Sequence, residues 1–157
     1  MKKVAIVVLL ALLVCLFSAC PLNGNPDIPE NDATEQEAIK MYIAIYGNKL
    51  EVTLEDNTAV RELVELLKQG DITYTADDYG GFEKVGSLGR TLTSSDTTIT
   101  TEPGDVVLYT SNSICIMVGS NTWSYTRIGK IKGYSATQLK ELIGVGKGSV
   151  EVTISLN

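Results

Sequence analysis

The chain has 157 residues, with 13 Lys plus Arg against 19 Asp plus Glu, a formal net charge of −6, and no histidine. The acidic balance argues against a nucleic-acid partner and against a polybasic hold on anionic lipid. Without histidine there is no Ser-His or Cys-His nucleophilic pair and no His-containing zinc site, and the three separated cysteines offer no thiolate pair, so neither metal nor cofactor is expected.

Met1-Lys2-Lys3 is a basic start, and Val4 to Phe17 is an unbroken apolar run too short for a membrane span. Phe17-Ser18-Ala19-Cys20 follows. This resembles the signal peptide and lipobox of bacterial lipoproteins, with Phe17 where Leu is usual. The resemblance implies cleavage after residue 19 and lipidation of Cys20. Two or more acyl chains on one residue suffice for stable anchoring. The expected partner is therefore the lipid bilayer, and the expected location extracytoplasmic, on the cell membrane. Cleavage would move the net charge to −8, since residues 1–19 hold two lysines and no acid. It would also leave Cys115 without a disulfide partner, and between Ile114 and Ile116 it reads as a small buried hydrophobe.

Residues 20–40 are rich in Pro, Asn and acids and read as a flexible acidic tether. The folded domain is expected over 41–157. Met41, Ile43 and Ile45 alternate with Tyr42 and Ala44, and Leu50, Val52 and Leu54 with Glu51 and Thr53. Gly47-Asn48 between them predicts a two-residue hairpin turn. Asn57 offers a helix cap, and Val60, Leu63, Val64 and Leu67 form one apolar stripe, with Gly70 placed at C′.

Ile72 to Tyr74 predicts a short strand. Asp77 to Arg90 (DDYGGFEKVGSLGR) is Gly-rich but matches no phosphate-binding spacing, so its glycines are read as bends at a barrel rim. Thr91 to Thr101, nearly all Thr and Ser, predicts an exposed loop across one barrel end. Val106 to Tyr109 and Ile114 to Val118, around a polar break, form the central core hairpin. Trp123 and Tyr125 are placed in a polar loop before a strand at Arg127–Ile131. Ser135 and Gln138 make a capping box for a short helix ended by Gly144, and Val150, Val152 and Ile154 alternate in a closing strand.

This order of elements is similar to that of the bacterial cyclophilin-like domains, small uncharacterised proteins. The matching blocks are LEDNTAVRELVELL, DDYGGFEKVGSLGR, PGDVVLYTSNSICIMVG, RIGKI and VEVTISL. The resemblance implies a mainly β fold, a closed β-barrel with two short helices, one capping an open end. It does not carry over the isomerase activity of true cyclophilins. Their Phe-His-Arg run and second groove histidine have no counterpart here.

The expected function is a non-enzymatic, membrane-tethered binding module for a peptide segment or small ligand. Its open face would be lined by Tyr79, Phe82, Glu83, Arg90, Tyr109, Trp123 and Tyr125, with no catalytic residue assigned. Trp and Tyr favour binding surfaces because they bury much area at low entropic cost. The alternative is a weak extracytoplasmic prolyl isomerase. It would need an apolar pocket and a cationic donor, Arg90 or Arg127, to stabilise the twisted amide. A hydrolase built on Asp77, Asp78 and Glu83 is a third reading, but adjacent Asp residues in a loop are usually turn formers.

Overall fold

In the computed structural model of the chain, the structure describes residues 39–156. The lipobox, Cys20 and nearly all of the expected tether lie outside them. Nine strands and two helices follow in chain order: β1 (Met41–Ile45), β2 (Asn48–Leu54), α1 (Thr58–Leu67), β3 (Ile72–Tyr79), β4 (Glu83–Ser87), β5 (Thr97–Thr100), β6 (Asp105–Tyr109), β7 (Ser113–Met117), β8 (Thr122–Ile131), α2 (Ala136–Ile143) and β9 (Val150–Leu156). Among the described residues no helix is long and apolar enough to cross a membrane.

The strands run β2-β1-β9-β3-β4-β7-β6-β8, all antiparallel, and β2 pairs back onto β8 through Val52↔Ile131 and Leu54↔Gly129. This closes an eight-stranded barrel and removes its edges. β5 pairs only with the first half of β8, outside the closed ring. Two close backbone approaches need glycine. A side chain at Gly86 would run into the Thr75 carbonyl and the Tyr74 ring, and one at Gly129 into the Thr53 carbonyl.

The barrel interior is the main core. Met41, Ile43, Leu50, Val52, Val106, Leu108, Ile114, Ile116, Val152 and Ile154 fill it. The expected alternation of β1, β2 and β9 therefore holds. The first hairpin turns one residue earlier than Gly47-Asn48: Tyr46 and Gly47 are the turn pair, both at positive φ, and Asn48 already pairs with Ile45.

Both helices bury their stripes in this same core. Asn57 caps α1, accepting a hydrogen bond from the Val60 N–H, and Leu63, Val64 and Leu67 face inward. The C-cap is Lys68, so Gly70 lies one residue beyond the expected C′ position. In α2 the Ser135–Gln138 capping box is formed, and Gly144 ends the helix in the left-handed conformation. α1 follows the end of β2, while Asn48 at its start donates to the Leu142 carbonyl of α2. The helices therefore close opposite barrel ends.

Two stretches differ from the sequence expectation. β3 runs on through Asp77, Asp78 and Tyr79, and Glu83–Ser87 is a full strand, so the Gly-rich stretch is a hairpin turning at Gly80-Gly81. The Thr/Ser run is mostly exposed, as expected, but is an irregular loop only over residues 91–96 and is tied to the barrel. Leu92 is buried in the core, Thr93 bonds Glu62 of α1, Ser95 bonds Thr126, and Thr97–Thr100 forms β5.

Candidate functional site

β6 and β7 are apolar on consecutive positions because both their faces are buried. Val106, Leu108, Ile114 and Ile116 point into the barrel, while Val107, Cys115, Met117 and Tyr125 form a second, smaller core on the outside of the wall. Period-2 geometry forces this division. Phe82, Val85 and Ile99 pack against the outer cluster.

Beside this outer core lies a cavity of about 440 Å³, lined by Tyr79, Phe82, Glu83, Val85, Tyr109, Asn121, Trp123 and Tyr125. Six of the seven residues singled out from the sequence meet here, at one place on the outer face of the barrel wall and not at an open barrel end. Each comes from a different local cause. Tyr79 ends β3 and Phe82 closes the glycine turn. Their rings sit edge to face with centroids 6.0 Å apart. Gly80 and Gly119 make room for Phe82, since a side chain at either would strike it. The Phe82 carbonyl is fixed by the N–H groups of Val118 (2.8 Å) and Gly119 (3.0 Å).

Tyr109 ends β6 and stands edge to face with Tyr125, centroids 6.0 Å apart. Trp123 and Tyr125, two apart on β8, share one face, so both belong to a strand and not to a polar loop. Their burial differs sharply: Trp123 is 57 % exposed and Tyr125 3 %. The Tyr125 hydroxyl accepts a 2.8 Å bond from Asn121 Nδ2.

Glu83 is the polar group of the cavity. It is 5 % exposed, and its Oε2 has no hydrogen-bond partner. Burial pushes its carboxyl above the ordinary range, while a bond from the Cys115 thiol pulls the other way. The thiol in turn is pushed far up, first by burial and then by the Glu83 carboxyl. A thiol so placed is protonated at neutral pH and is no nucleophile, which accords with reading Cys115 as an apolar filler.

Arg90 is not brought to the cavity. It sits exposed in the loop after β4, and among the described residues no ion pair joins it to Glu83. Arg127 faces out on β8 but is held at 3.3 Å by Asp105 and does not line the cavity. Asp77 and Asp78 do not converge on Glu83 either. Asp77 accepts a bond from the Ser149 hydroxyl, and Asp78 pairs with Lys84 at 2.8 Å and takes the Gly148 N–H. Among the described residues no group of His, Cys, Asp and Glu is placed to hold a metal ion.

Val85 and Asn121 also line the cavity but were not among the sequence candidates. Val85 had a signal: it pairs directly with Cys115 across β4 and β7, so it shares that residue's outward face. Asn121 had none, because it precedes β8 in a turn.

A family model described as the cyclophilin-like family matches residues 43–155. No curated protein matches the chain. By structure the chain is similar to a hypothetical protein from Archaeoglobus fulgidus, at 20 % identity and a TM-score of 0.52, over 74 % of this chain and 93 % of that one. It is also similar to McbB, solved in complex with tryptophan, at 15 % identity and a TM-score of 0.50, over 73 % of this chain and 44 % of McbB. At these identities the likeness concerns the fold.

Proposed function

The chain belongs to the cyclophilin-like family, and we propose that its barrel is a binding module, tethered to the outer side of the cell membrane through an acylated Cys20, that holds a peptide segment or small ligand without catalysing a reaction. The observation that carries this reading is the cavity itself. Five aromatic side chains, drawn from three strands and one turn, converge on one concave apolar site of about 440 Å³, a size suited to a small ligand. Trp123 stands more than half exposed at its edge, outside both buried clusters of the domain. McbB, similar in fold, was solved in complex with tryptophan, so small organic molecules are tested beside a peptide.

The tether rests on the sequence pattern Phe17-Ser18-Ala19-Cys20. Labelling cells with radioactive palmitate should mark the wild-type chain and not Cys20→Ala; an unlabelled wild type removes the anchor from the proposal.

Binding is tested on the full chain in deuterated detergent by ligand-observed NMR. The probes are a panel of small aromatic fragments and the peptide Ala-Ala-Pro-Phe. Binding is expected in the wild type and is lost in Trp123→Ala at unchanged melting temperature. Absence of binding at millimolar concentration, or binding that ignores the substitution, refutes the module. Exchange spectroscopy on the same peptide tests the isomerase alternative. That reaction calls for a cationic donor at the twisted amide, and neither Arg90 nor Arg127 lines the cavity, so no acceleration is expected.

A further inference from the structure

We infer that the cavity recognises a protonated amine: a small organic ammonium whose N–H groups reach the Glu83 carboxylate while its apolar body lies among the aromatic rings. This deepens the binding-module reading and rests on it.

Four observations converge. Glu83 is almost wholly buried yet its Oε2 is unpartnered. Buried polar groups in native proteins nearly always find partners, because an unmatched one costs free energy, and a carboxylate costs more than a neutral group. A donor arriving with the ligand would complete it. Second, the two polar groups nearest in role, an amide and a thiol, are already engaged. Asn121 Nδ2 donates to Tyr125, and the Cys115 thiol serves the Glu83 carboxyl. The buried atom left open in the cavity is a carboxylate oxygen, an acceptor, so the partner it lacks is a donor.

Third, no cation of the chain supplies it: among the described residues neither lysine nor arginine lines the cavity. Lys84, next in sequence, points to the other face of the wall, where it pairs with Asp78 and bonds the Gly148 carbonyl. Fourth, five of the lining residues are aromatic: Tyr79, Phe82, Tyr109, Trp123 and Tyr125. Aromatic faces attract cations, and Trp does so best. An acidic group that shares a cavity with aromatic side chains favours a cation with N–H donors over either a neutral aromatic or an anion.

The probes are phenethylamine and its neutral counterpart 2-phenylethanol, which share ring and chain length. Dissociation constants are read by ligand-observed NMR on the full chain in deuterated detergent at neutral pH, where the amine is protonated. The wild type should bind the amine about tenfold more tightly than the alcohol. Glu83→Gln should remove that preference, so that the variant binds amine and alcohol with similar affinity. The comparison within the wild type does not depend on how the variant folds. Equal affinities in the wild type, or a preference that survives Glu83→Gln in a folded variant, overturn the inference. If the alcohol alone binds, and does so through Trp123, the module stands and the ammonium specificity falls. If neither probe binds at millimolar concentration, the ammonium inference falls, and the module falls with it only if the fragment panel and the peptide Ala-Ala-Pro-Phe are silent as well.

Discussion

Two carboxylates at the β3–β4 hairpin meet opposite fates. Asp78 and Glu83 lie one ladder position apart, since Asp78 pairs with Lys84 and Tyr79 with Glu83. Asp78 turns to the barrel side, where the Lys84 ammonium stands at 2.8 Å and the Gly148 N–H donates at 2.7 Å. Glu83 turns to the outer side, among aromatic rings, with one oxygen unpartnered. Burial raises the carboxyl of Asp78, but its bonds to Lys84, Gly146 and Gly148 and the charge of Lys84 outweigh that and bring it below the ordinary value. Burial raises that of Glu83, and only a thiol opposes it. A carboxylate answered from within its own chain belongs to the fold. One left unanswered at a cavity points outward, to something the chain does not contain.

The largest expected effect is on the answered side. Lys84 is fully buried, so Lys84→Met leaves Asp78 without its cation and should cost about 3 kcal/mol, read by urea denaturation. The figure lies at the low end for buried pairs because Asp78 keeps 22 % exposure and its backbone donor. A loss within about 0.5 kcal/mol, the range of ordinary surface changes, would show that the pair is not structural and would erase the contrast.

Tyr125→Ala comes next. Tyr125 belongs to the outer core with Val107, Cys115 and Met117, and truncating a buried aromatic costs about 3 kcal/mol. Chemical denaturation should show the loss whether or not ligand binding changes. A variant as stable as the wild type would mean that the outer cluster is a surface and not a core.

Glu83→Gln should move stability the other way, and with pH. A carboxyl whose folded value is raised contributes its stability below the unfolded value, near 4.5, and loses it as pH rises through the folded value. The wild type therefore carries a penalty at neutral pH that Gln lacks, and relief of one unmatched buried group is worth about 1 kcal/mol. The melting-temperature gap should be small near pH 4 and widen in favour of the variant as pH rises. Asp78→Asn should do the reverse, since a lowered carboxyl stabilises above its unfolded value, 3.8, and loses that stability as pH falls through the folded one. Parallel pH profiles for the two variants would contradict the opposed environments of the two groups.

Much of this barrel is legible in the sequence. The period-2 strands β1, β2 and β9, the stripe of α1 and the Ser135–Gln138 box all carry local signals that tertiary structure did not override. What stays hidden is which side of the wall carries the site. Consecutive apolar residues in β6 and β7 announce burial on both faces, but a sequence does not say that one face is the barrel interior and the other the floor of a cavity. β5 is hidden for another reason. Thr suits strands, but a run of Thr and Ser has no apolar period, and its pairing with β8 decides the matter. Nothing local marks Lys84 as buried until the Gly80-Gly81 turn is recognised. Then Asp78 and Lys84 become a directly opposed cross-strand pair. Arg90, close to the aromatics in sequence, lies exposed in the loop between the buried Leu88 and Leu92 and does not line the cavity.

The smallest expected effect is also the most discriminating. Trp123 and Tyr125 are chemically alike, two residues apart on one face of β8, and the sequence places them together. The structure separates them by exposure, 57 % against 3 %. Trp123→Ala should therefore shift unfolding free energy by no more than about 0.5 kcal/mol, as surface substitutions do, while abolishing ligand capture. This is the inverse of a core aromatic, whose removal damages the fold first and binding only through it. If Trp123→Ala destabilises the domain as much as Tyr125→Ala does, the Trp123 ring belongs to the packing of the fold, and the cavity loses one of the walls whose exposure marks them as spare to that packing.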